Sequence, residues 1–297
     1  MMVVDQVLAL FILLIAGLAC FKARLLPEET VGGLNKLVVT LALPCLSFMK
    51  LQQEATPQLM GELFQVFGYA CAGMLLSCLA GFFIFHRQAP ARRAVLINLT
   101  MFSNAGFMGY PVVAAAFGED ALIYAVIYVA AFNLMSWTLG VMVFERGQRP
   151  SLKKLGLNPA LLSVVLGLAF FLAGWRVPQA LGSAMNFMGA TTTPLSMLVI
   201  GARLSALAKA HLKDKMLLAA SALRLVVYPC LLLGGLAVLG APEMVRSIVF
   251  LCAAMPSAAV TVMQAEQYQC DSPLASRGVA LSTALSMATI PLMLTLL

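Results

Sequence analysis

The chain of 297 residues is 62% hydrophobic and only 10% charged, with a formal net charge of +7 and a mean hydropathy of +0.95. An ordinary soluble domain carries about 25% charged residues, so this composition excludes one and describes an all-α polytopic membrane protein. The basic residues fall in loops between apolar runs and not on one face, which excludes a nucleic-acid surface and reads as topological charge.

At roughly 20 residues per span, the length holds about ten spans with short loops and no soluble domain beside them. They are predicted near 4–21, 32–50, 62–85, 92–117, 120–144, 159–174, 183–204, 215–239, 243–267 and 275–297. No basic segment precedes the first apolar run, so residues 4–21 read as a retained span and not as a cleaved signal. The second span carries Pro44. The fourth contains Ser103-Asn104-Ala105-Gly106-Phe107-Met108-Gly109-Tyr110-Pro111, a poor continuous helix, because Gly106 and Gly109 weaken it and Pro111 has no N–H to donate. Gly118-Glu119-Asp120 makes a tight acidic turn into the fifth span. The cation-bearing stretch 146–158 is the expected linker between a first half, 1–145, and a second half, 159–297.

The second half echoes the first. Span 7 carries Pro194 where span 2 carries Pro44, and span 9 carries Pro256 where span 4 carries Pro111. Five spans per half is an odd number, so the halves must run in opposite directions through the bilayer, an inverted repeat with broken helices 4 and 9. The competing explanation is coincidence, since proline is common in membrane spans. Fourteen Lys and Arg fall on one face of this arrangement, in the loops around Lys22, Arg93, Lys154, Lys213 and Arg277. Three, Lys50, Arg176 and Arg246, fall on the other. Cytoplasmic loops are the basic ones, so both termini are expected outside, in the periplasm if the chain sits in an inner membrane.

An unpaired backbone group in hydrocarbon costs several kcal/mol, so a broken span is tolerated where it lines a protein cavity or water. Two broken spans in corresponding positions of two halves point to the binding site of a secondary transporter. Half-helix N-termini attract anions and C-termini attract cations. The candidate substrate-binding residues are Ser103, Asn104, Gly106, Gly109, Pro111, Asn133, Arg224, Pro256, Ser257, Thr261 and Gln264. For Ser103 and Ser257 a second role stands open, satisfying the backbone freed by the kink. Arg224, deep in span 8, binds a substrate carboxylate, reaches carbonyls freed near Pro256, or snorkels to the surface. Acidic residues sit at span ends, so no deep carboxylate is predicted as a proton carrier. The seven cysteines lie mostly in apolar runs without a CxxC, and the two histidines are far apart, so neither a disulfide framework nor a metal site is expected. No HExxH, P-loop or GxSxG motif occurs, so an enzyme is not expected.

At Asn104-Ala105-Gly106-Phe107-Met108-Gly109-Tyr110-Pro111, and again from Met255-Pro256-Ser257 to Ala265-Glu266-Gln267-Tyr268, the chain resembles the auxin efflux carrier family. That family includes plant PIN carriers and bacterial malonate or malate permease-like proteins. The resemblance covers essentially all ten spans. It implies a scaffold domain from spans 1, 2, 6 and 7 and a transport domain from spans 3–5 and 8–10. It further implies crossover helices, elevator-type alternating access and a small organic anion as substrate, with Asn104, Pro111 and Pro256 at the crossover. Ser103 stands where plant carriers have a proline before that asparagine, and their long central loop is missing. The function expected is therefore secondary active transport of a carboxylate such as malonate or malate. The alternative is a membrane-embedded carboxylate sensor that does not translocate. The expected partners are the substrate anion and the bilayer, with a homodimer through the scaffold domain as a further expectation. No cofactor is expected, and sodium, proton and uncoupled transport all stay open.

Overall fold

The structure, a computed structural model, describes residues 2–144, 158–205 and 214–297, with side chains from residue 5 on. The expected linker at 146–158 lies outside the described residues except for Asn158, as do the loop cations Arg146, Arg149, Lys153, Lys154, Lys209 and Lys213. The described residues are helical, without a β-strand beyond one isolated bridge. In chain order the helices are α1 (Met2–Lys22), α2 (Glu28–Lys50), α3 (Pro57–Ile84), α4 (Pro90–Met101), α5 (Ala105–Phe117) and α6 (Glu119–Phe144). After the undescribed stretch come α7 (Pro159–Ala173), α8 (Gln179–Ala190), α9 (Thr192–Arg203), α10 (Lys215–Val238), α11 (Glu243–Ala253), α12 (Val260–Gln267) and α13 (Ser272–Leu294). Among the described residues six of them, α1, α2, α3, α6, α10 and α13, are long and apolar enough to cross a membrane.

Local chemistry sets the helix ends. Asn158 caps α7 by accepting from the N–H groups of Ala160 and Leu161, with Pro159 just inside, and Gly174 closes the helix at φ +67°, a conformation that favours glycine. Asp214 caps α10 and Asp271 caps α13 in the same way. Within the long helices the backbone widens ahead of proline. Three of the four π-helical turns among the described residues, Val38–Ala42, Ala105–Gly109 and Leu223–Val227, end two residues before Pro44, Pro111 and Pro229. Proline cannot donate to the i−4 carbonyl and its ring crowds it, so the preceding turn relaxes to i→i+5 spacing instead of stopping. Pro111 therefore lies inside α5, whereas the true break falls earlier, at Phe102–Asn104. Pro256 lies within its break, the non-helical stretch between α11 and α12.

The chain forms two compact units. The first comprises Met1–Val66, Gly106–Ala130 and Leu152–Ser205. Here α1 and α9 touch backbone to backbone: a Cβ on Gly17 would stand 2.4 Å from the Leu198 carbonyl oxygen, and one on Gly201 only 1.9 Å from that of Leu14. The second half of α2 packs on α7 and α8, with Gly167 against Leu51, Gly189 against Leu46, and Phe48 edge-on to Phe170 at 5.3 Å. Ser47 meets the Tyr110 hydroxyl at 3.2 Å, and Lys50 pairs with Glu119. The second unit comprises Phe67–Ala105, Ala131–Ser151 and Ala206–Leu297. Its core is the C-terminal half of α4 and nearly all of α11, buried from Ala94 to Met101 and from Ser247 to Ala253. Spans 1, 2, 6 and 7 of the sequence reading contribute to the first unit and spans 8–10 to the second, while residues of spans 3–5 are divided between them.

Candidate functional site

The two helix breaks meet in the core of the second unit. Ser103 and Ser257 form an isolated antiparallel bridge. The Asn104 N–H donates to the Pro256 carbonyl at 2.7 Å, and the Ala258 N–H donates to the Phe102 carbonyl at 2.9 Å. Each break thus supplies the backbone partner the other lacks. Two more bonds close it: the Ser257 N–H donates to the Ser282 hydroxyl at 3.1 Å, and the Ser257 hydroxyl donates to the Leu99 carbonyl at 2.7 Å.

Arg224 holds the other side. It is fully buried, in the π turn of α10. Its Nε donates to the Met255 carbonyl at 3.2 Å, Nη1 to the carbonyls of Thr100 at 2.9 Å and Met101 at 3.2 Å, and Nη2 to the carbonyl of Ala253. The Tyr228 ring, one turn further along α10, lies 5.0 Å from the guanidinium carbon. Where the orphan carbonyls at the end of α4 go can therefore be stated completely. Asn98 accepts from the Phe102 N–H, Leu99 from Ser257, Thr100 from Arg224 and Ser77, and Met101 from Arg224.

The electrostatics close as well. A helix C-terminus carries about half a negative elementary charge, so the ends of α4 and α11 together offset about one cation. These carbonyls account for the buried guanidinium, and its place in the core answers the snorkelling alternative. Of the roles open in the sequence, reaching the carbonyls near Pro256 is the one the geometry displays.

The remaining predicted residues divide. Ser103, Asn104, Asn133, Pro256, Ser257, Thr261 and Gln264 belong to the same unit as Arg224. Gly106, Gly109 and Pro111 belong to the other unit, on α5. Ser103 and Ser257 are buried in the bridge, and Asn104, which heads α5, is half-buried. On α12 the Gln264 amide donates to the Ser136 carbonyl at 2.8 Å, in the π turn Ser136–Gly140 of α6. That orientation is forced, because its oxygen would repel a carbonyl. The Gln264 Oε1 and the Thr261 hydroxyl, both fully buried, have no hydrogen-bond partner among the described residues. Asn133 is buried one turn before Ser136, whose hydroxyl donates to the Asn133 carbonyl at 3.1 Å. Asn98 donates back to Ala94 within its own helix, a structural role. No group of three or more His, Cys, Asp or Glu side chains that could hold a metal occurs among the described residues.

Three contributors escape sequence reasoning: Ser282, Ser136 and Tyr228. Only Tyr228 left a signal, its place four residues after Arg224 on one helical face. Ser282 and Ser136 are ordinary small polar residues whose role depends on what folds against them.

Known proteins resemble the chain along nearly its whole length. The family profile described as "Membrane transport protein" matches residues 2–153 and again 148–294. A protein of Methanothermobacter thermautotrophicus named an uncharacterized transporter is 28% identical over 297 residues, covering 97% of this chain and 96% of its own. A second uncharacterized transporter, from Methanocaldococcus jannaschii, is 26% identical and covers 98% of both chains. A Rhizobium meliloti protein named "Putative malonate transporter" is 25% identical, covering 92% of this chain and 89% of its own. With several helices apolar enough to span a bilayer, this chain is a multi-pass membrane protein, and it belongs to the membrane transport protein family, that of the auxin efflux carriers.

Proposed function

We propose that the protein is a secondary active transporter that moves a small organic anion, a carboxylate such as malonate, malate or a related acid, across the cell's inner membrane. The observation that carries the reading is the pairing of the two breaks with Arg224 on one side and Asn104 on the other. The guanidinium offsets the negative ends of α4 and α11. The helices that restart beyond the breaks, α5 at Ala105 and α12 at Val260, then present their positive ends without competition from the negative ones. Asn104 stands at the head of α5 with an amide that can donate to a carboxylate. The name of the Rhizobium meliloti relative agrees with such a substrate.

In this reading the chain holds ten spans as two inverted five-helix repeats, with helices 4 and 9 crossing at their breaks and both termini periplasmic. Spans 1, 2, 6 and 7 form the scaffold, and spans 3–5 and 8–10 carry the site by an elevator motion. Catalysis has no part in it. Arg224 acts as a positioning residue, and Thr261 and Gln264 offer the substrate, or an ion moving with it, the oxygens that lack a partner among the described residues. Binding to purified protein tests the reading: malonate, malate and related acids should raise its melting temperature in a concentration-dependent way, and neutral amides of the same acids should not. Equal shifts for acids and amides would show that charge is not what the site recognises.

A further inference from the structure

A cavity of about 340 Å³ lies elsewhere in the second unit, between α3 and α10. Its wall residues run from Tyr69 to Ile84 on α3 and from Leu223 on α10 to Leu239 just past its end, each set at three- and four-residue spacing along one helical face, with Thr100 of α4 also in the lining. Fifteen residues of α-helix span about 22 Å, so the cavity is a long trough and not a compact pocket. Spread over that length, the volume leaves a trough only a few ångströms wide. A helix about 10 Å across does not fit such a trough. A single hydrocarbon chain does.

The walls agree on chemistry. No charged residue lines the trough. The Ser77 hydroxyl on its floor is spent on the Thr100 carbonyl at 3.1 Å, and that carbonyl also accepts from Arg224. Water would gain little there, and apolar surface would gain from an apolar neighbour. The rim residues Leu76 and Leu231, 63% and 71% exposed, continue into the exposed apolar faces of the same two helices, at Phe83 and Val238. In a membrane protein those faces meet lipid, so the trough opens onto the acyl region of the bilayer. Small residues are part of its lining, Ala72, Gly73, Ala80 and Gly81 on α3 and Gly235 on α10, and a side chain at Gly235 meets nothing within 4 Å.

We infer that this trough is a lipid site that takes one acyl chain of a bilayer phospholipid, laid lengthwise against Tyr228, the same ring that lies over the Arg224 guanidinium. The chain would thus pack behind the residue that ties the two breaks together.

Two glycines give a controlled test. A side chain at Gly234 or at Gly235 meets open space, yet only Gly235 lines the trough. The protein is reconstituted in vesicles of phosphatidylcholine carrying a photoactivatable diazirine at the end of one acyl chain, illuminated and digested, and the labelled residues are mapped by mass spectrometry. Wild type and Gly234→Phe should be labelled at the trough residues Ser77, Thr100 and Tyr228. Gly235→Phe should lose that labelling while keeping label at Phe83 and Val238. Label confined to Phe83 and Val238 in wild type overturns the site. Equal trough labelling in both variants overturns the geometry.

Discussion

At the scale of single residues, Arg224 and Asn104 separate two jobs that the sequence left mixed. Arg224 is legible as important from its depth alone, because a charge in a span asks for a reason. Its partners are not legible, because they are backbone carbonyls of helices about 30 and about 125 positions away, and every residue offers a carbonyl. Arg224→Gln should lower stability by roughly 3 kcal/mol or more, since several buried carbonyls lose their donor. Arg224→Lys should recover only part of it, because an ammonium cannot fork across both helix ends. Melting of the purified variants checks both, and a wild-type melting temperature for Arg224→Gln would contradict the tie. Asn104→Ala should do the opposite, leaving the melting temperature near wild type and weakening carboxylate binding by about 1–2 kcal/mol, read as a change in Kd.

At the scale of elements, the apolar runs marked where helices lie, but not that the predicted span 183–204 divides into α8 and α9 at Thr191, and the breaks were not fully marked. Two glycines and a proline marked the right span, yet Pro111 only widens its preceding turn, and the chain straightens several residues earlier, at 102–104, where Asn104 can reach Pro256. A proline announces irregularity, and the fold decides whether that becomes a π turn or a break. Glycine needs the same context. Gly201→Ala would place a Cβ 1.9 Å from the Leu14 oxygen, so α1 and α9 must separate and thermal stability should fall. Gly68→Ala meets nothing within 4 Å and should raise stability by about 0.5–1 kcal/mol, because the unfolded chain loses freedom. A pair of melting curves distinguishes them, and equal effects would contradict the close approach.

The entry to α10 carries a pH dependence. Burial pulls the Asp214 carboxyl upward, but the Arg92 guanidinium and the Leu217 and Met216 N–H groups outweigh it and hold it below its ordinary value of 3.8. A depressed carboxyl stabilises the fold above its unfolded value and loses that contribution as pH falls through the folded one. Asp214→Asn should therefore be less stable than wild type at neutral pH, with the gap narrowing below about pH 3.8. Melting followed from pH 7 to 3 reads it, and a gap independent of pH would show that the Asp214 charge does not carry the loss.

At the scale of the whole molecule, class and family were the most legible, because 62% hydrophobic residues and the motif around Asn104 are properties of the chain itself. The grouping of spans was less so. The contact units divide residues of α3 and α6 between them, and nothing in the local pattern of a helix says which neighbours its two ends will choose. The central claim is that the paired breaks carry an anion across a bilayer. Its most direct measurement is uptake of labelled malonate, or of whichever acid binds best, into sealed proteoliposomes, for wild type and Asn104→Ala side by side, with and without sodium and a pH gradient. The account predicts time-dependent, saturable uptake by wild type and strongly reduced uptake by the equally folded variant. Binding without any uptake, under every gradient, would contradict it and leave a receptor in place of a carrier.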